Sequence, residues 1–387
     1  MPPDVEPISR TIARGPRKRT IFIIWAAFVT ALICLVVMAF RAGPANDAVR
    51  RKQQHASQGP PQPTLRSLFP KDVRIGSAVR AEALAADSRY GRLLSQEFSA
   101  LTPENSLKWA NIEPVRGFYD WASSDRLMAF AASRKQAVYG HTLVWHTEVP
   151  AWVTEDLSPQ EVRDLLKDHV TKVVSRYRGK IWAWDVVNEA LAEDGSLRDT
   201  IWLRKLGPNY IADAFSWVRA ADPNAILFIN EYGAEWGNRK SAALLELVRK
   251  LRSEGVPIQG VGFQSHLPYD RSAAGMAENL ARFTSSGFAV AITELDVRID
   301  LPATPEKLQR QAALYLDVVN ACLSVSGCVS LTTWGFTDAK SWIPSYHKGF
   351  GAACLFDEAY QPKPAYQALM AALLSRAAAR PSATPTP

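Results

Sequence analysis

Cysteine is scarce in this chain, with four in 387 residues, which is too few for a disulfide scaffold. No Cys and His positions fall at metal-ligand spacing, so a structural metal site is not expected, and no cofactor is implied. No glycine-rich phosphate loop follows the first strand-like run, which argues against a nucleotide-binding open sheet. No repeat of 20–50 residues is evident, so a solenoid or propeller is not expected. The net charge is +7, yet basic residues crowd the first 80 positions, and no basic stripe interleaved with aromatics follows. Nucleic acid is therefore not an expected partner.

The N-terminal region has its own pattern. Residues 21–40 form an apolar run broken only by Thr30 and free of charge. About 20 such residues span a bilayer as a helix. Arg17, Lys18 and Arg19 precede the run, which favours a cytoplasmic N-terminus. A basic segment over 1–20, a transmembrane or signal-anchor helix over 21–40 and a flexible linker over 41–66 are thus predicted. The rest would be exported, membrane-anchored on a periplasmic or cell-surface face, or secreted if the segment is cleaved. A globular domain over 67–375 and a disordered tail over 376–387 complete the expected layout. Cys322 and Cys328 enclose a short loop, suiting either a local bridge in an oxidising compartment or two buried thiols.

Within the globular region eight β-prone runs occur, at 74–79, 98–102, 137–145, 182–188, 225–232, 260–265, 288–295 and 328–336. Helical patterns separate them. Residues 158–178 open with Ser158-Pro159-Gln160-Glu161, a capping box with proline at the first helical position. Residues 241–253 and 305–323 show similar periodicity. Alternating strands and helices of this number predict an α/β fold, a (β/α)8 TIM barrel, with a doubly wound sheet as the other arrangement.

Active sites of such barrels lie at the C-terminal strand ends, and here those ends are polar. They read Thr102-Pro103-Glu104-Asn105, Gly140-His141 through Trp145-His146, Asp185-Val186-Val187-Asn188-Glu189, Asn230-Glu231-Tyr232, Gln264-Ser265-His266, Thr293-Glu294-Leu295-Asp296 and Trp334-Gly335-Phe336-Thr337-Asp338. Polar groups in apolar strands are costly unless paired or used. The chain also carries 12 tryptophans, whose faces stack on pyranose rings, while amides, histidines and lysines bond sugar hydroxyls. Carbohydrate is the natural ligand. Splitting a glycosidic bond needs one carboxylic acid to protonate the leaving oxygen and a second carboxylate to attack or to activate water.

These motifs, with Gln361-Pro362-Lys363-Pro364-Ala365-Tyr366, occur in one order, and the chain resembles glycoside hydrolase family 10 endo-β-1,4-xylanases over about residues 70–372. The resemblance implies a retaining enzyme that cuts internal bonds of xylan, with Glu189 as acid/base and Glu294 as nucleophile. Asn188 would bond the 2-hydroxyl, His266 the nucleophile, and Gln264 the region of the acid/base. His141 and Trp145 would line the subsite before the cut, with Glu104, Asn105 and Lys108 one sugar further out. Trp334 and Trp342 would cover these sugars, and Tyr232 would lie towards the leaving group. The partners expected are xylan or its oligosaccharides and, through the N-terminal helix, a membrane; the chain is expected to be a monomer.

Three positions depart from the family pattern: Thr147-Glu148 in place of Ser-Gln, Glu231 in place of Asp, and Asp338-Ala339-Lys340-Ser341-Trp342 in place of Asp-Lys-Tyr-Ser-Trp. A hydrolase of other β-1,4-glycans and a non-catalytic carbohydrate-binding barrel are the other functions considered. Glu104 and Lys108 could also form a simple helical ion pair. His146 is read as structural.

Overall fold

The computed structural model describes residues 62–379. The predicted span over 21–40 lies outside them, and among the described residues no helix is long and apolar enough to cross a membrane.

Strands are numbered in chain order: β1 Arg74–Val79, β2 Ala100–Pro103, β3 Ala137–Gly140, β4 Ala183–Asn188, β5 Ile226–Glu231, β6 Gly260–Phe263, β7 His266–Pro268, β8 Ala289–Asp300, β9 Cys328–Thr333 and β10 Phe350–Gly351. Strands β1 to β6 pair in sequence, β6 pairs β8, β8 pairs β9, and β9 returns to β1, all in parallel. Eight parallel strands therefore close a barrel, and no edge is left within it. This is the predicted (β/α)8 architecture. The third run leaves the sheet at Gly140, three to five residues before its apolar pattern ends, because His141–Trp145 turns over the rim. The seventh runs on to Asp300, where β7 and β10 pair with it outside the barrel.

The helices form where the sequence caps them. Helix Pro159–Arg176 begins at Ser158, which bonds the Glu161 amide while Glu161 reaches back, as the capping box predicts. Its Val162, Leu166, Val170 and Val173 are fully buried against the barrel. Helix Arg239–Ser253 starts from an Asn238 cap, and helix Pro305–Ser324 from Thr304. Cys322 lies in the last turn of that helix and is bridged to Cys328, the first residue of β9.

Helices cross both expected domain boundaries. Helix Leu65–Leu68 straddles the expected end of the linker at 66, where Leu65 is fully buried and its amide bonds Glu97. Helix Pro364–Ala378 runs past residue 375, because Leu369 and Leu373 are buried and carry the helix beyond its last apolar turn.

Inside the barrel, Tyr139, Ala183, Phe228 and Ala291 form one packed layer. Strand β6 leaves them room. A Cβ on Gly260 would stand 2.2 Å from the Phe228 ring, and one on Gly262 would stand 2.4 Å from Asn230 Oδ1. Of the three register shifts in the barrel strands, two adjust the layers above. One falls between Asp185 and Val187 on β4, the other between Ile292 and Leu295 on β8. Strict alternation would send Asp185 and Asn188 to opposite faces. The extra residue in each strand re-aims the side chains that follow it, as bulges beside active sites do.

Candidate active site

Glu294 stands in the middle of β8 and is 4% exposed. Asn230 Nδ2 donates to its Oε1 at 2.7 Å, and His266 Nε2 lies 3.1 Å from its Oε2. His141 Nδ1 is 3.9 Å from Oε1. Burial alone would push this carboxyl up, but His141, His266 and Asn230 together hold it below the usual glutamate range. Glu294 is thus kept as an anion, the form a nucleophile needs.

His266 owes its state to a second carboxylate. Its Nδ1 lies 3.0 Å from Asp296 Oδ2, which also accepts Trp342 Nε1 at 2.7 Å. Burial pulls the imidazole down, yet Asp296 and Glu294 on its two sides outweigh that and hold it up to about 10. It is an imidazolium spanning two anions, and both ring nitrogens donate.

Glu189 follows the last residue of β4 and adopts a left-handed backbone, φ +57°. Gln264 Nε2 donates to its Oε1 at 3.0 Å, and Asn188 Nδ2 approaches the same oxygen at 3.5 Å. Unlike Glu294, Glu189 has no buried cation against its carboxylate and is only partly buried. His146 Nε2 is 3.9 Å from its Oε2, and burial lowers that imidazole below the usual histidine value. His146, read from the sequence as structural, thus stands beside Glu189.

Asn188 links the two halves. Its Oδ1 accepts Asn230 Nδ2 at 2.9 Å and Gln264 Nε2 at 3.3 Å. Two donors on the carbonyl side fix which way the amide points, leaving Nδ2 to donate. Asn230 is itself oriented by Thr293 Oγ1, which donates to its Oδ1 at 2.6 Å. Thr293 and Glu294, neighbours in sequence, both touch Asn230, which the register shift in β8 makes possible.

On the other side of the pair, His141 Nδ1 bonds Asp185 Oδ2 at 2.9 Å, and Tyr139 donates to Asp185 Oδ1 at 2.7 Å. Trp334 is 6% exposed and meets the His141 ring edge-on at 5.1 Å and that of His266 at 6.1 Å. Trp342 lies 4.9 Å from His266. Lys108 Nζ bonds Asn105 Oδ1 at 2.9 Å and sits 5.1 Å from the centre of the Trp145 ring. Glu104 pairs with Arg80 at 2.8 Å. The alternative ion pair between Glu104 and Lys108 does not form, because residues 104–108 precede the helix and present the two side chains to different partners. Tyr232 accepts a bond from Arg198 at 3.0 Å. Glu148 is exposed on a loop in a left-handed conformation, φ +51°.

Six functional neighbours were not assigned from sequence: Asp185, Asn230, Thr293, Asp296, Arg198 and Arg80. Asp185 and Asp296 carried a usable signal, a carboxylate within an apolar strand. Arg80 and Arg198 did not. Among the described residues, no three His, Cys, Asp or Glu side chains converge as metal ligands would.

Comparison with known proteins places this geometry. The sequence profile of glycosyl hydrolase family 10 matches residues 64–372. Endo-1,4-beta-xylanase B of Thermotoga neapolitana is 40% identical over 311 residues, covering 79% of this chain and 90% of that protein. An endo-1,4-beta-xylanase of Agaricus bisporus is 42% identical over 275 residues, covering 71% and 83%. Among solved structures, xylanase 10B of Thermotoga petrophila RKU-1, crystallised with xylobiose, superposes with a TM-score of 0.80 at 38% identity, covering 82% of this chain and 99% of that one. With nearly the whole described region matched in sequence and fold, the chain belongs to glycosyl hydrolase family 10.

Proposed function

We propose that the protein is a retaining endo-β-1,4-xylanase that cuts internal bonds of xylan by double displacement. The observation that carries this reading is the unequal treatment of the two carboxyls. Glu294 is buried and held as an anion by His266, Asn230 and His141, whereas Glu189 is only partly buried and meets the neutral amides of Gln264 and Asn188. In the first step Glu294 attacks the anomeric carbon while Glu189 gives its proton to the departing oxygen. Asn188, with its amide already oriented, bonds the 2-hydroxyl as positive charge develops on the ring. In the second step Glu189, now ionised, takes a proton from water, which displaces Glu294. The imidazolium of His266 stabilises Glu294 as a leaving group as well as a nucleophile, so both half-reactions use the same contact. His141, Trp145, Trp334 and Trp342 hold the sugars before the cut, with Glu104, Asn105 and Lys108 one ring further out.

Xylan as the substrate is supported by the names of the relatives, which are endo-1,4-beta-xylanases. Proton NMR of the first product tests the mechanism. Retention gives the β-anomer, and trapping with a 2-fluoroxylobioside should label Glu294. The α-anomer as first product would remove the double displacement. Rates on xylo- against cello-oligosaccharides test the sugar choice, for which the exposed carboxylate of Glu148 is the nearest departure from the family.

The reading includes export and anchoring through residues 21–40, with the catalytic domain acting as a monomer. The Cys322–Cys328 bridge supports an oxidising compartment. Fractionation of expressing cells, followed by protease treatment of intact cells or spheroplasts, tests this; activity in the cytosolic fraction refutes it.

A further inference from the structure

The backbone just after Glu189 is held by side chains that the two-carboxylate mechanism does not use. Residues 190–198 form a short loop, closed by the Leu191–Leu197 bridge and by the Arg198 amide on the Ala190 carbonyl at 2.8 Å. From the end of that loop the Arg198 side chain reaches back. Its Nε donates to the Glu189 carbonyl at 3.0 Å, and its Nη2 to the Leu191 carbonyl at 2.7 Å and the Tyr232 hydroxyl at 3.0 Å. A planar guanidinium delivers such bonds in a fixed relative geometry, which an ammonium cannot.

The same short stretch of backbone is also held from β5. Glu231 is fully buried, and its Oε2 accepts the Leu191 amide at 2.9 Å. Its Oε1 accepts the Tyr232 amide at 3.2 Å and lies 3.0 Å from Lys240 Nζ. Lys240 is itself 2% exposed, and its Nζ stands 3.6 Å from the centre of the Tyr232 ring. Leu191 is therefore gripped at its N–H by Glu231 and at its C=O by Arg198. Glu189, two residues earlier, has no strand neighbour to hold it beyond the bond from its amide to the Asn230 carbonyl at 2.9 Å.

We infer that Arg198, backed by the buried Glu231–Lys240 pair, is a positioning residue for Glu189, fixing the acid against the leaving-group oxygen and tying Tyr232 to the same frame. The inference rests on Glu189 being the acid/base. It goes further in making the leaving-group side of the site one mechanical unit, assembled from the loop after β4 and the end of β5. A frame that merely kept the loop folded would affect every substrate alike. A frame that aims a proton affects substrates in proportion to their need for one. Leaving groups that depart unaided do not need it.

The test compares kcat/KM, which reports the first half-reaction, for xylotetraose and for 2,4-dinitrophenyl xylobioside. In Arg198→Met the value for xylotetraose should fall by roughly 100-fold, the cost of a misplaced catalytic group. For the dinitrophenyl substrate, whose phenolate leaves without a proton, it should stay within about threefold. Glu189→Ala serves as the benchmark and should show the same split in larger form. Equal losses on both substrates in Arg198→Met, or no loss on either, overturn the positioning role. Equal losses in Glu189→Ala overturn instead the assignment of the acid, and the two failures are thus told apart. Arg198→Lys keeps the charge without the fork and should show the split at smaller size. It carries the test, with the same outcomes, should the methionine variant not fold.

Discussion

Replacing Asn230 by alanine removes one side chain that three others depend on, and its effects can be separated. Its Nδ2 gives Glu294 a buried bond of 2.7 Å to a charged acceptor. Such bonds contribute about 1.5–3 kcal/mol. Losing it raises the pKa of Glu294, because the bond favours the charged carboxylate. The sign follows from the direction of the native shift. Glu294 is held below its usual value, so it is an anion down to acid pH, and the variant becomes protonated sooner as pH falls. The acid limb of the kcat/KM profile should therefore move to higher pH. The plateau should also drop, since Asn188 Oδ1 loses the shorter of its two donors. A loosened contact to the 2-hydroxyl of about 1.4 kcal/mol makes that drop roughly tenfold. The assay is the initial rate on xylotetraose across the acid and neutral range, with unfolding followed separately. Thr293 is left without an acceptor, which costs about 1–3 kcal/mol of stability. A lower plateau with an unmoved acid limb would refute the reasoning, because Asn230 would then orient Asn188 without supporting the charge on Glu294.

Two further outcomes follow from packing. Gly262→Ala brings a Cβ to 2.4 Å from Asn230 Oδ1 and 2.8 Å from Thr293 Cγ2. It should cost about 1–3 kcal/mol in denaturant unfolding and lower kcat, and a stable, fully active variant would remove the claim that β6 is shaped around Asn230. His169 is buried flat against Trp109 at 4.1 Å, and burial lowers it from 6.5 to about 3 despite a backbone contact from Leu143. The unfolded chain binds a proton there first, so stability is held above pH 6.5 and is lost progressively as pH falls towards 3. His169→Phe should flatten the melting temperature over that window; curves that stay parallel to the parent would exclude His169 as the cause.

Much of this molecule is legible in its sequence because its signals are local. Alternating strand and helix patterns give the barrel, and Ser158 with Glu161 marks a helix start to the residue. Carboxylates at the ends of apolar runs mark Glu189 and Glu294 as candidates. What cannot be read is phase. One extra residue on β4 and another on β8 leave hydrophobicity patterns intact, yet they decide that Asp185 and Asn188 both reach the site and that Thr293 and Glu294 share a partner. Partner choice between distant loops is equally hidden. Glu104 takes Arg80 from the end of β1, although Lys108 is closer to it in sequence. Leu65 looks like part of a polar linker until the pocket that buries it is present.

The two carboxylates are anchored by different parts of the protein. Glu294 sits halfway along a strand of twelve residues, flanked by the barrel and then by β7 and β10. Glu189 hangs beyond the end of its strand, steadied by side chains. The position of Glu294 is thus inherited from the scaffold and tolerates little revision. That of Glu189 is negotiated among a few residues on one loop and one strand end. Changes confined to residues 190–198 and their neighbours on β5 can retune Glu189 while Glu294 stays where it is. Directed evolution for altered working pH has a defined place to begin.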